Sequence, residues 1–227
     1  MKTLKYIIFL FVLNIVSIQL LAQPLFETSF AKGEWKQDEW IMVKSPRWSY
    51  IGKWVQGETF IQNKTPDGAT PEEMLGTKSS ETYTSMVLKN KFSGEITVKV
   101  KMEFADRMAP LIVFAHELGK DKNGIHEYRE HFEVVLWDEG INIWHHYYKN
   151  GKPFWKLAAF ERFPLKPDTQ YELKVKFSKR KSDKLLSVNV NGHEFGYMDN
   201  SLPNEFYVGI TGCEGINRFY SFVVTKE

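Results

Sequence analysis

Residues able to stack on a ligand, hydrogen-bond to it or exchange protons with it recur at two-residue spacing in one stretch of this chain. They are His131 and Glu133, then Asn142, Trp144, His146 and Tyr148. Glutamate and histidine can each serve as general acid or base. An indole offers a flat apolar surface for a sugar ring, and the amide, imidazole and phenol groups can bond to its hydroxyls. Arg129, just upstream, can neutralise a carboxylate while Tyr148 or His131 removes a proton, the chemistry of β-elimination on uronate polymers. His116, and beyond it His126, can reach the same end of a sheet. Glu133, His131 and His146 are therefore the candidate catalytic residues. Trp144, Asn142, Tyr148, Arg129 and His116 are the candidate substrate-binding residues. Three or four of the histidines with Glu133 could also ligate a metal, but no H-x-H or H-x-x-x-H pair brings two such ligands together on one element, so no metal site is expected there. No cofactor is expected either, with structural calcium the one ion left open.

A β-hairpin must position these groups. Phe132, Val134 and Leu136 alternate with His131, Glu133 and Val135, the period of a half-buried strand. A tight turn at Trp137-Asp138-Glu139-Gly140 follows. A loop of even length sets Leu136 opposite Ile141 and Val134 opposite Ile143, so the apolar residues share one face. The candidate residues share the other.

The rest of the chain sets the context. Met1 to Ala22 carries Lys2 and Lys5 and then an apolar run from Tyr6 to Leu21, the layout of a secretory signal peptide cleaved after Ala22. Residues 23–227 remain as one domain, with no further membrane span. Of the 30 basic and 28 acidic residues in the full chain, the leader holds two lysines. The mature balance is near zero, which gives no electrostatic basis for binding nucleic acid. Cys213 is the only cysteine, so stability rests on a core and not on disulfides. A secreted protein of that kind fits a bacterial origin, secreted or periplasmic. A monomer is expected.

Short strands punctuated by turns are expected throughout. Residues 25–61 hold several, 63–80 form a polar loop with one helical turn at 71–75, and 83–89 and 94–104 are strands. Residues 110–116 form a strand covered on both faces, followed by a loop at 118–124. Asn150-Gly151 and Asn191-Gly192 mark further hairpins, and 178–184 is a solvated tip. About a dozen strands and no longer helix imply an all-β, two-sheet antiparallel sandwich or jelly roll.

With that map, the chain resembles the concanavalin A-like lectin/glucanase sandwiches, and within them the laminin-G-like and 3-keto-disaccharide-hydrolase-like domains secreted by Bacteroidetes and related bacteria. The likeness rests on FSGEITVKVKMEF (92–104), HFEVVLWDEGINIW (131–144), LKPDTQYELKVKF (165–177), VNVNGHEFG (188–196) and FYVGITGCEGINRFYSFVV (206–224). It implies a carbohydrate partner on a concave face. The glucanases of this fold carry E-x-D-x-x-E or E-x-D-x-E on one strand, and this chain has no such set. Binding of a poly- or oligosaccharide is therefore the leading expectation. The alternatives are a glycoside hydrolase or polysaccharide lyase using Glu133 with His131 and His146, and a non-catalytic surface-interaction domain.

Overall fold

The computed structural model describes residues 23–107, 109–180 and 182–226. The expected leader at 1–22 lies outside them. The N-terminal strands are short: β1 (Pro24–Ser29), β2 (Trp40–Met42), β3 (Trp54–Gln56), β4 (Ile61–Asn63), β5 (Thr84–Leu88) and β6 (Phe92–Ser93). Longer strands follow: β7 (Ile96–Phe104), β8 (Pro110–Lys120), β9 (His126–Trp137), β10 (Gly140–Lys149) and β11 (Lys152–Arg162). The chain closes with β12 (Tyr171–Arg180), β13 (Asp183–Val190), β14 (His193–Met198), β15 (Glu205–Gly212) and β16 (Asn217–Lys226).

These strands form two antiparallel eight-stranded sheets. The front sheet runs β11-β10-β9-β8-β15-β5-β2, with β6 beside β15. The back sheet runs β14-β13-β12-β7-β16-β4-β3, with β1 beside β16. Between them lies one core. Ile96, Val98, Val100, Met102 and Phe104 of β7 meet the inward row Phe132, Val134 and Leu136 of β9 and Ile141 and Ile143 of β10. Burying each such side chain stabilises the fold by about 1.5–3 kcal/mol.

The focal hairpin has the expected register. Asp138-Glu139 is a two-residue loop, Leu136 pairs with Ile141, and Val134 pairs with Ile143. The helical turn at Pro71–Leu75 (α1) is also present. Thr70 caps it by accepting from the Glu73 N–H, while the Glu73 carboxylate accepts from the Thr70 N–H. A second short helix, α2 (Ser79–Thr82), overlaps the end of the stretch read as loop at 63–80.

Two expectations need correction. Residues 118–120 are strand, because β8 stays paired with β9 through register shifts between Ala115 and Leu118. Backbone pairing there outlasts side-chain alternation. The tip expected at 178–184 is likewise shorter, since β12 continues through Ser178 and Lys179 and β13 begins at Asp183.

The connection between β15 and β16 is fixed from below by one buried amide. Asn63 is fully buried; its Nδ2 donates to Thr82 O and Gly215 O, both at 2.9 Å, and its Oδ1 accepts from the Asn217 N–H at 2.8 Å. Asn217 Nδ2 donates in turn to the carbonyls of Cys213 and Gly215. Thr82 Oγ1 accepts from the Glu214 N–H at 2.7 Å. Leaving such groups unpaired in the interior costs about 1–3 kcal/mol each. We therefore expect Asn63→Ala to lose on the order of 3 kcal/mol in urea unfolding; a loss of only a few tenths would show that this pin is not structural.

Candidate functional site

The outer face of the front sheet is unusual in being apolar at its centre. Leu111, Val113 and Ala115 of β8, Val135 of β9 and Val87 of β5 form a second buried cluster, separate from the core between the sheets. This cluster needs cover, and the segment around Val43–Trp48 supplies it. Lys44 fastens that segment. Its N–H donates to His126 O, its carbonyl accepts from the Tyr128 N–H, and its ammonium lies 3.0 Å from both Asp121 and Glu127. From this anchor Ser45, Arg47 and Trp48 reach out beside the apolar cluster. Where the cover ends, a cavity of about 190 Å³ opens.

Apolar residues, among them Leu111 and Val135, line part of this cavity. Trp48, Trp144 and Trp155 supply indole walls, and Glu133, His146 and Glu214 supply polar groups. The Arg47 guanidinium joins two of the walls, with its centre 4.6 Å from the Trp48 ring centroid and 4.1 Å from that of Trp155. A site built of aromatic walls with a few placed polar groups has the usual make-up of a small-molecule site. Its volume falls below the 300–1,000 Å³ usual for drug-sized ligands, so it suits a single ring.

At its base Glu133 is held by two imidazoles. His131 Nε2 lies 3.2 Å from Oε1 and His146 Nε2 lies 3.1 Å from Oε2. Strand geometry explains the convergence. His131 and Glu133 are two apart on β9, and His146 sits directly opposite His131 on β10. The rings of Tyr128, His131 and His146 stack in a row with centroid spacings of 4.3 and 4.6 Å. Among the described residues, His131, Glu133 and His146 are the one group of three or more His, Cys, Asp or Glu residues with donor atoms close enough to hold a metal ion.

The electrostatics of the two cavity carboxylates diverge. Burial pushes Glu133 towards the neutral form, but attraction to His146 and hydrogen bonds from His131 and His146 outweigh it. The carboxyl is thereby held well below the ordinary range. Burial, reinforced by His146, lowers His131 to about 4. Glu214 is shifted the other way, because burial and the nearby Glu133 raise its pKa and Arg47 opposes them only partly. Its backbone takes the left-handed region at φ +55°, sparsely populated by residues other than glycine.

Of the residues singled out from the sequence, the structure brings Glu133, His146 and Trp144 to the cavity, with His131 directly behind them. It does not bring the other four. Arg129 and Tyr148 share the correct strand face but are taken up by Glu127: the Tyr148 hydroxyl donates to its carboxylate at 3.0 Å and the Arg129 guanidinium at 3.1 Å. Asn142 is buried opposite Val135 and forms no part of the lining. His116 is exposed, at the register shift between Ala115 and Glu117.

Trp155, Trp48, Arg47 and Glu214 were not among the expected site residues. The sequence does carry a signal for Trp155: the two-residue turn Asn150-Gly151 sets Trp155 opposite His146.

No protein-family model matches the sequence, and no curated protein matches it. Solved structures do. A carbohydrate-binding module, CBM66 of Bacillus subtilis, aligns with a TM-score of 0.55 at 12% identity, over 83% of this chain and 96% of the module. A Bacillus subtilis protein of unknown function with a galectin-like fold gives 0.59 at 14% identity, over 89% and 96%. LamAcat of Zobellia galactanivorans gives 0.55 at 12% identity, over 89% and 97%. The chain shares the two-sheet, lectin-like sandwich fold of these proteins. At these identities the likeness is one of fold.

Two pH effects follow. His131 is neutral when folded and titrates from 6.5 when unfolded, so the unfolded chain takes up the proton first as the pH falls. Stability should decline by about 3 kcal/mol between pH 6.5 and 4, with Glu133 extending the loss to lower pH. Thermal melts in chelator across this range measure it; a flat profile would exclude a buried neutral His131. For Glu214 the sign reverses, because a raised acid pKa favours the folded state at low pH and costs stability once the group ionises. Glu214→Gln should raise the melting temperature at pH 7 and leave it unchanged at pH 3.

Proposed function

We propose that this protein binds carbohydrate in the outer-face cavity, holding one sugar ring against Trp144 and Trp155. The observation that carries the reading is the gathering of three indoles and two carboxylates around a single small cavity. The C–H-bearing face of a pyranose has a positive edge charge that complements the negative face of an indole. Its hydroxyls need fixed acceptors and donors, which Glu133, Glu214 and His146 provide at the other side of the cavity. An ionised Glu133, already held by two imidazoles, is a rigid acceptor whose position is set before the ligand arrives.

The fold supports this reading because neighbours that share it include a carbohydrate-binding module and plant lectins. Export through the leader at residues 1–22 belongs to the same reading, placing the protein in the periplasm or outside the cell.

A second reading is hydrolytic, and one observation favours it. Glu133 and Glu214 line the same cavity with their pKa values displaced in opposite directions, the pattern that separates an acid from a base in paired-carboxylate chemistry. Glu214 would then be the proton donor. Glu133, kept ionised, would be the base or the electrostatic partner, which differs from a general-acid role. The Arg129 and Tyr148 pair stands outside the cavity, so nothing comparable favours β-elimination.

A panel of poly- and oligosaccharides, scored for bound protein and for released sugar, tests both readings. Trp155→Ala should weaken binding about tenfold, the scale of one lost aromatic contact with its buried area. Glu214→Gln should abolish any sugar release while the variant stays folded. If no glycan on the panel is retained, the binding reading fails.

A further inference from the structure

We infer that His131, Glu133 and His146 form a binding site for a divalent first-row transition-metal ion, with zinc the best match, opening onto the cavity. The first ground is convergence. Two imidazole Nε2 atoms and one carboxylate from two adjacent strands point at a common position, and their donor atoms all lie within 4.8 Å of one another. Tetrahedral zinc with bonds near 2.1 Å separates neighbouring donors by roughly 3.3 Å. Each imidazole already stands near that separation from one carboxylate oxygen, His131 at 3.2 Å from Oε1 and His146 at 3.1 Å from Oε2. Closing around an ion requires only that the widest donor spacing, at most 4.8 Å, shorten.

The second ground is the state of the His131 ring. Its Nδ1 is buried and has no hydrogen-bond partner among the described residues. In the metal-free protein the Glu133 carboxylate accepts from the Nε2–H; because no group holds Nδ1, the proton can move there and leave the Nε2 lone pair to a cation. Stacking between Tyr128 and His146 holds the ring plane in place meanwhile.

The donor set also selects the ion. Two imidazoles and one carboxylate suit zinc and its first-row neighbours. Calcium, which takes six to eight oxygen ligands, does not suit this site. The set does not show as an i, i+2 or i, i+4 pair, because His131 and His146 lie on different strands and meet only through cross-strand pairing.

Three protein donors leave a fourth position, and Glu133 and His146 both line the cavity, so that position faces the space assigned to sugar. An ion there would accept sugar hydroxyls or a water molecule. This last step rests on the carbohydrate reading, whereas metal binding itself does not.

The test uses tag-free protein stripped with EDTA, dialysed and titrated with zinc chloride by calorimetry and with cobalt chloride by visible absorption. One equivalent should bind. Glu133→Gln and His146→Gln should each weaken zinc binding at least tenfold, with circular dichroism melts establishing that both variants are folded. His116→Ala, at an exposed imidazole outside the cluster, should bind as the parent does. Absence of stoichiometric zinc in the parent protein, or parent-like affinity in the two cluster variants, overturns the inference. The glycan panel, repeated in EDTA and in zinc, separates the two proposals. Zinc binding without any retained glycan defeats only the sugar reading, and glycan binding without zinc defeats only this one.

Discussion

The central strands of the front sheet are apolar on both faces, and the rest of the site follows from that constraint. One face closes the core against the back sheet, with Phe132 and Val134 in contact with the β7 row. The other face carries Leu111, Val113, Ala115 and Val135, which water would penalise if they were left bare. A sheet in a two-layer sandwich ordinarily has one wet face. Here the chain must spend a further segment as a partial third layer, and Lys44 exists in its ion-paired, nearly buried state to hold that segment down. The cavity is the place where this third layer stops short.

A charge set in such a floor needs partners. Glu133 is buried, and removing a carboxylate from water costs several kcal/mol unless hydrogen bonds and opposite charge replace the solvent. The two imidazoles do this, and Tyr128 backs them, its hydroxyl bonded at 2.6 Å to Ser85, which is bonded in turn at 2.6 Å to Thr211. The row crosses from β10 to β9, and through Tyr128 on to β5 and β15. It ties the polar centre of the cavity to four strands, so Glu133 cannot shift without disturbing all of them. Glu214, held through its backbone N–H by Thr82, has no comparable set of side-chain partners among the described residues, and its environment moves its pKa the other way.

The parts of this arrangement legible in the sequence are those set by strand periodicity. The apolar row of the focal hairpin, its register and the common face of His131, Glu133, Trp144 and His146 all follow from alternation and a two-residue loop. Trp155 was readable by the same logic through Asn150-Gly151. Arg47, Trp48 and Glu214 were not, because they arrive from segments whose sequence bears no periodic relation to the hairpin and only tertiary packing delivers them. Arg129 and Tyr148 mark the limit of the method. Alternation assigns a face correctly, but the buried Glu127 beside them claims both side chains. Residues 118–120 were missed because main-chain hydrogen bonds extend β8 past the point where its side chains stop alternating.

The joint between the covering segment and the edge strand β11 is a guanidinium resting on two indoles, with no backbone pairing between them. Arg47 is exposed and Trp155 is 43% exposed, so both sample rotamers on the picosecond-to-nanosecond scale. The mouth of the cavity can therefore widen and narrow by side-chain rotation alone, while the main chain stays fixed.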